Sequence, residues 1–139
     1  MSLVKICGIT EEQEVEYVNE AGADFMGMVM FFPKSKRNIT VEKASSLIKI
    51  LNPEITSVAV TVEPTLDQIR EIEAAGIQMI QIHGDVSEEL LQEIRIPVIK
   101  AFNVHDLSSY ERYHQADIVK GYILSLIHIS EPTRRRGIS

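Results

Sequence analysis

Short β-rich runs alternate with helical segments along almost the whole chain, and this restricts the fold more than any other feature. Val4–Cys7 reads as a strand that ends at the only cysteine and turns at Gly8. Thr10-Glu11-Glu12-Gln13 has capping-box spacing, with Thr10 the expected N-cap of a helix from about Glu11 to Ala21. Phe25-Met26-Gly27-Met28-Val29-Met30 is a continuous apolar run, suited to a strand buried on both faces. Thr40 can cap a helix with an inward stripe of Ala44, Leu47, Ile48 and Leu51, which Asn52-Pro53 ends. Ser57–Val62 is β-branched and reads as a strand. Thr65-Leu66-Asp67-Gln68 repeats the capping-box spacing ahead of Ile69 and Ile72, and Gly76 is a natural stop. Met79–Ile82 is the next strand, followed by a helix capped by Ser87 that packs Leu90, Leu91 and Ile94. Pro97–Phe102 predicts a fifth strand, Asp106 to about His114 a weaker helix, and Gly121–Leu124 the start of a sixth strand.

Strand centres recur at roughly twenty to thirty residues, the size of one βα unit. Ala21-Gly22 and Ala75-Gly76 close successive helices just before a strand, which suggests equivalent turns. Such alternation implies a parallel α/β sheet with right-handed crossovers. An open doubly wound sheet and a (βα)₈ TIM barrel both fit. Neither a P-loop nor G-x-G-x-x-G follows the first strand, which favours the barrel.

Composition narrows the function classes. A chain of 139 residues with 45% hydrophobic and 24% charged residues can build one core. The net charge of -6 argues against general nucleic-acid affinity, which needs clustered cations. No apolar run reaches the ~20 residues of a membrane span, and no basic-then-apolar leader opens the chain. One cysteine cannot form an intrachain disulfide, which fits a reducing, cytoplasmic setting.

In a parallel α/β fold, chemistry collects at the carboxyl ends of the strands. Those ends carry Cys7, Pro33-Lys34-Ser35-Lys36-Arg37-Asn38, Thr61-Val62-Glu63, Gln81-Ile82-His83-Gly84-Asp85 and Phe102-Asn103. Cys7 reads either as a small buried apolar residue or as a thiolate near cations that acts as base or nucleophile. Lys34, Lys36 and Arg37 form either a solvated loop or an anion clamp, with Arg37 suited to fork onto a carboxylate or phosphate. Gln81 and His83, two apart on one strand, share a face. His83 can be packed and hydrogen-bonded or catalytic. His83 and Asp85 have no second His or Cys at ligand spacing, so no metal is expected.

Lys5-Ile6-Cys7-Gly8-Ile9-Thr10 closely resembles the opening motif of phosphoribosylanthranilate isomerases, (βα)₈ enzymes of tryptophan biosynthesis. The resemblance continues through Gly22–Gly27, Phe32–Arg37, Val58-Ala59-Val60, Gln81–Asp85 and Val98–Ala101, in family order and spacing. It implies an intramolecular aldose–ketose isomerase, performing an Amadori rearrangement of N-(5-phosphoribosyl)anthranilate. A general acid protonates the ribose ring oxygen, the ring opens to a Schiff base, and a general base removes the C2′ proton. The resemblance makes Cys7 that base and Arg37 the ligand of the anthranilate carboxylate, with Lys5, Gln81 and His83 in the substrate pocket. It implies no cofactor and no metal, and a small anionic phosphosugar as the partner.

The match stops after Gly121-Tyr122-Ile123-Leu124. The family continues with a leucine and an aspartate, the general acid, whereas this chain has Ser125-Leu126-Ile127-His128 and then Arg134-Arg135-Arg136. The glycine-rich loops that hold the substrate phosphate are also missing. Residues 1–124 are therefore expected to form an incomplete barrel of about five and a half βα units, and residues 125–139 a non-native, adapter-like tail. A barrel left open would expose two sheet edges and an apolar interior, so self-association and loss of activity are expected. The competing readings are another phosphate-sugar barrel enzyme and a non-catalytic half-barrel that binds an anionic ligand or a partner.

Overall fold

The computed structural model describes residues 3–103 and 119–125. The elements in chain order are β1 (Lys5–Ile6), α1 (Glu12–Ala21), β2 (Phe25–Met30), β3 (Asn38–Ile39), α2 (Val41–Ile50), β4 (Thr56–Val62), α3 (Leu66–Ala74), β5 (Met79–His83), α4 (Glu88–Glu93), β6 (Val98–Asn103) and β7 (Val119–Ser125). The sheet runs β1-β2-β4-β5-β6-β7 with every neighbouring pair parallel, and the two-residue β3 pairs beside β2. Each strand of the path lies next to its predecessor. A doubly wound sheet would reverse this order at a switch point, so the winding is that of a barrel. Among the described residues β1 and β7 are the two ends of the path. The expected helix over 106–114 and the tail beyond Ser125 lie outside the described residues.

Local chemistry accounts for the helix starts. Thr40, Thr65 and Ser87 each accept a backbone N–H three residues on, and Thr65 with Gln68 completes a reciprocal capping box. The start of α1 differs from expectation. Its N-cap is Glu11, which makes no side-chain cap bond. Glu14, rather than Gln13, reaches back, and its Oε1 accepts from Thr10 N at 2.8 Å and Thr10 Oγ1 at 3.1 Å. A carboxylate outcompetes the amide because charge-assisted bonds are the stronger ones. Gly22 ends α1 in the left-handed conformation, at φ 66°.

Alternation along the strands sorts side chains onto two faces. Met26, Met28 and Met30 of β2, Ala59 of β4, and Ile80 and Ile82 of β5 pack with Val15, Val18, Ala44, Leu47, Ile69, Ile72 and Leu91 of the helices. Each large side chain buried here is worth ~1.5–3 kcal/mol. The other, concave face carries Val29, Val58 and Val60, with Cys7, Phe25, Phe32 and Met79 packed on them. The expectation of an exposed interior is corrected for these valines, which are 4%, 0% and 1% exposed. The half-buried Phe25, Phe32 and Met79 cover them.

Candidate active site

The carboxyl end of β1 is built around a missing side chain. Parallel pairing of Lys5 with Phe25 and Ile6 with Met26 carries Cys7 alongside Gly27 of β2. A Cβ on Gly27 would lie 2.9 Å from Cys7 Sγ, 3.2 Å from Lys5 Cε and 3.3 Å from Val60 Cγ2. The thiol and the lysine stem therefore occupy the space that any other residue would fill. The carbonyl of Gly27 also accepts from Gly8 N at 3.0 Å and Ile9 N at 3.2 Å, tying down the turn that follows the thiol. Gly8 makes that turn at φ 85°, a conformation a side chain would strain.

Lys5 points onto the same concave face and is 7% exposed. Its Nζ donates to Gln81 Oε1. Burial pushes its pKa below the ordinary lysine value, while the negative charge of a Cys7 thiolate pulls it back up. Gln81 is 2% exposed and its backbone carbonyl accepts from Thr61 Oγ1 at 2.9 Å. Its Nε2 lies 2.9 Å from Nε2 of the half-buried His83. Four of the five expected site residues, Lys5 and Cys7 of β1 and its carboxyl end and Gln81 and His83 of β5, thus share one face of the sheet.

Arg37 stands apart from the four and is linked to them through Glu14. Its Nη1 lies 3.7 Å from Glu14 Oε2, while the other carboxylate oxygen holds Thr10 at the end of the Cys7 turn. The loop bearing Arg37 is ordered by Phe32 N donating to Asn38 Oδ1 at 2.8 Å and Arg37 N donating to Ser35 Oγ at 3.1 Å. Lys34 and Lys36 of the expected clamp are exposed, whereas Arg37 is half-buried. Among the described residues, no three His, Cys, Asp or Glu side chains gather as a metal site.

Two residues of the site, Gly27 and Glu14, were not singled out by sequence reasoning, and Glu63 was named only as the end of the Thr61-Val62-Glu63 run. Gly27 had a signal, because an isolated glycine inside an apolar strand marks a close approach. Glu14 had none beyond its position one turn after Thr10. Glu63 follows β4 at φ 43°, donates its N–H to His83 O at 3.0 Å, and accepts from Asp85 N at 3.1 Å on Oε2. It anchors the turn after His83.

A barrel-wound parallel sheet with a thiol at the end of its first strand and a cationic loop after its second has known counterparts. A family model described as N-(5'-phosphoribosyl)anthranilate (PRA) isomerase matches residues 4–130. The chain belongs to this family. The N-(5'-phosphoribosyl)anthranilate isomerase of Streptococcus gordonii is 41% identical over 105 residues, covering 75% of this chain and 53% of that protein. That of Geotalea uraniireducens is 39% identical over 125 residues, covering 89% and 61%. The chain therefore spans little more than half the length of these curated relatives. Among solved structures, phosphoribosyl anthranilate isomerase from Thermotoga maritima superposes with a TM-score of 0.79 at 32% identity, covering 96% of this chain and 66% of that one. A phosphoribosyl anthranilate isomerase in complex with reduced 1-(o-carboxyphenylamino)-1-deoxyribulose 5-phosphate gives 0.77 at 34% identity, covering 91% and 66%. The TIM-barrel class expected from the alternation holds, and the family match runs six residues beyond the boundary expected at Leu124. Among the described residues no helix is long and apolar enough to cross a membrane.

Proposed function

We propose that these residues supply the base-bearing part of an isomerase that converts N-(5-phosphoribosyl)anthranilate, an aminoaldose, into 1-(2-carboxyphenylamino)-1-deoxyribulose 5-phosphate. The observation that carries this reading is Cys7 Sγ seated over Gly27 beside the buried Lys5, at the carboxyl end of β1. After ring opening the substrate is a protonated imine. The Cys7 thiolate takes the proton from C2′, the C2′–H electron pair forms the C1′–C2′ double bond, and the imine electrons settle on nitrogen. The resulting enaminol tautomerises to the ketone. The imine is the electron sink, so the chemistry asks for no cofactor. Cys7 must stay a free thiol, in keeping with a cytoplasmic setting.

Arg37 binds the anthranilate carboxylate by displacing Glu14, a modest exchange because the Arg37–Glu14 pair is long and partly exposed. Gln81 and His83 line the pocket, and Lys5 reaches it from beneath through Gln81. The general acid and the phosphate loops belong to the family's C-terminal part. We place the isomerase domain at residues 1–124 and treat 125–139 as foreign to it on the departure from the family pattern after Leu124, although the family match extends to residue 130.

The test is a chimera in which residues 3–124 continue into the C-terminal part of the Geotalea uraniireducens relative, assayed for formation of the aminoketose. The chimera is expected to be monodisperse and active, and its Cys7→Ser version to lose most of its turnover. A polypeptide of the 139 residues alone is expected to self-associate through β1 and β7 and to form no product. Undiminished turnover by the Cys7→Ser chimera would remove Cys7 from the mechanism.

A further inference from the structure

The concave cluster has a hydrogen-bond polarity that the isomerase reading does not use. An ammonium group has donors only, so Lys5 Nζ can bind Gln81 only through the carbonyl oxygen. A primary amide carries its acceptor and its donors on opposite arms. Committing Oε1 to Lys5 turns Nε2 toward His83, whose ring Nε2 lies 2.9 Å away. Two N–H donors cannot face each other at that separation, so the ring nitrogen there has to be bare. We propose that Gln81 is a positioning residue that, with its carbonyl locked by Lys5, holds His83 as the neutral tautomer carrying its proton on Nδ1.

Several features keep the amide from turning over. Gln81 is 2% exposed and Lys5 7%, so water does not compete at either end. The backbone of Gln81 is paired in register with Val60 on one side and Ile99 on the other. Its backbone carbonyl also accepts from Thr61 Oγ1, which fixes the strand that carries the amide. Turning the amide would set its NH₂ against the ammonium, donor against donor, which is costly in a dry interior. The described titratable groups on the elements next to His83 are Cys7 and Lys5 from β1, Glu63 at the end of β4, Asp85 beyond Gly84 and Lys100 of β6. β6 pairs Ala101 with His83 and the buried Lys100 with Ile82, so Lys100 stands one register position before the ring.

The relay has a chemical consequence at the mouth. His83 carries no charge of its own and its proton sits on Nδ1, so any contact it makes with an anionic group is a neutral hydrogen bond and not an imidazolium pair. It also cannot deliver a proton from Nε2. That assignment of work rests on the isomerase reading, whereas the tautomer does not.

The experiment is long-range ¹⁵N–¹H correlation of the histidine side chains in the full chain at neutral pH, with His83 assigned by loss of its signals in His83→Gln. The expected spectrum has a protonated, pyrrole-type Nδ1 and a bare, pyridine-type Nε2. In Gln81→Glu the acceptor-only carboxylate calls for a proton on Nε2, so that nitrogen should shift to the pyrrole type. Lys5→Met should release the amide and give an averaged pair of nitrogens. A wild-type ring protonated on Nε2 would overturn the proposal, as would a single Nδ1–H tautomer that persists in Lys5→Met. If Gln81→Glu does not fold, the wild-type and Lys5→Met spectra decide it. A chimera that shows the expected tautomer yet forms no aminoketose would sink the isomerase reading and leave the relay standing.

Discussion

Replacing Gly27 with alanine tests the central geometric claim about the site. The added methyl would sit 2.9 Å from Cys7 Sγ, 3.2 Å from Lys5 Cε and 3.3 Å from Val60 Cγ2, all closer than ordinary contact. None of the three can step aside freely. Lys5 is held by Gln81, Val60 is 1% exposed, and Cys7 is followed by a turn bonded to the Gly27 carbonyl. Overpacking of this kind destabilises by about 1–3 kcal/mol. Alanine recovers about 0.5–1 kcal/mol through lower unfolded-state entropy. Taken mid-range, the net loss is about 1.2 kcal/mol, which at a urea slope of about 2 kcal/mol/M lowers the midpoint by about 0.6 M. The chain has one cysteine, so thiol alkylation of the whole protein reports on Cys7 alone. A sulfur pushed from its seat should label at a changed rate. In the active chimera, displacement of the base should reduce kcat/KM about ten- to hundredfold. A Gly27→Ala protein with an unchanged midpoint and labelling rate would refute the claim that the missing side chain makes the seat for the thiol.

Two other substitutions probe the charges of the site. Glu14→Ala removes both the bonds to Thr10 and the Arg37 pair and should lower stability by about 1 kcal/mol in a urea melt, whereas Glu14→Gln keeps an acceptor for Thr10 and should lose less than half of that. Lys5 has a lowered pKa in the folded state, so between that value and the ordinary 10.5 the unfolded chain binds more protons than the folded one. Stability should therefore gain from Lys5 as pH rises through this window, with no further gain above 10.5. The difference in urea midpoint between the parent and Lys5→Met should grow in favour of the parent over that window, and a constant difference would contradict the burial of the ammonium.

Much of the fold was legible because its signals are local. The run Phe25–Met30 is apolar throughout and forms a strand over those same residues. Thr40, Thr65 and Ser87 cap the helices they precede. The parts that were not legible depend on contacts between distant residues. The Thr10–Gln13 spacing looked like a capping box, but Glu14 is also drawn by Arg37, which lies 23 positions away in sequence and adjacent in space. β3 is too short to show a period. Lys5 entered the pocket only through the family resemblance, and the registers of β1 with β2, β2 with β4 and β4 with β5 are what bring it to the buried Gln81. Cys7, Arg37, Gln81 and His83 were visible as candidates from their places at strand ends, but the sequence did not reveal that Gln81 joins Lys5 to His83.

The turn that follows His83 illustrates how strain at the mouth of the sheet is offset. Gly8, Phe31, Glu63 and Gly84 follow β1, β2, β4 and β5, and all four have positive φ, at 85°, 58°, 43° and 82°. For Glu63, which has a side chain, that conformation costs about 1–2 kcal/mol. Part is returned by its bonds to His83 O and Asp85 N. Its side chain also fills the space over Gly84, where a Cβ would lie 2.6 Å from Glu63 Cγ and 2.7 Å from Oε2. The two residues should therefore be coupled. Gly84→Ala imposes left-handed strain and also forces the exposed Glu63 side chain off Asp85, for a loss of about 2–3 kcal/mol. Glu63→Gly relieves its own strain while giving up its bond to Asp85, so its effect should be close to zero. In the double variant only the strain at position 84 remains, and the loss should fall to about 1–2 kcal/mol. A double-mutant cycle should then show a coupling of about 1 kcal/mol, beyond the roughly 0.3–0.5 kcal/mol expected of independent sites. Strict additivity would mean that Glu63 does not rest on Gly84, and that the turn beside His83 is held by something else.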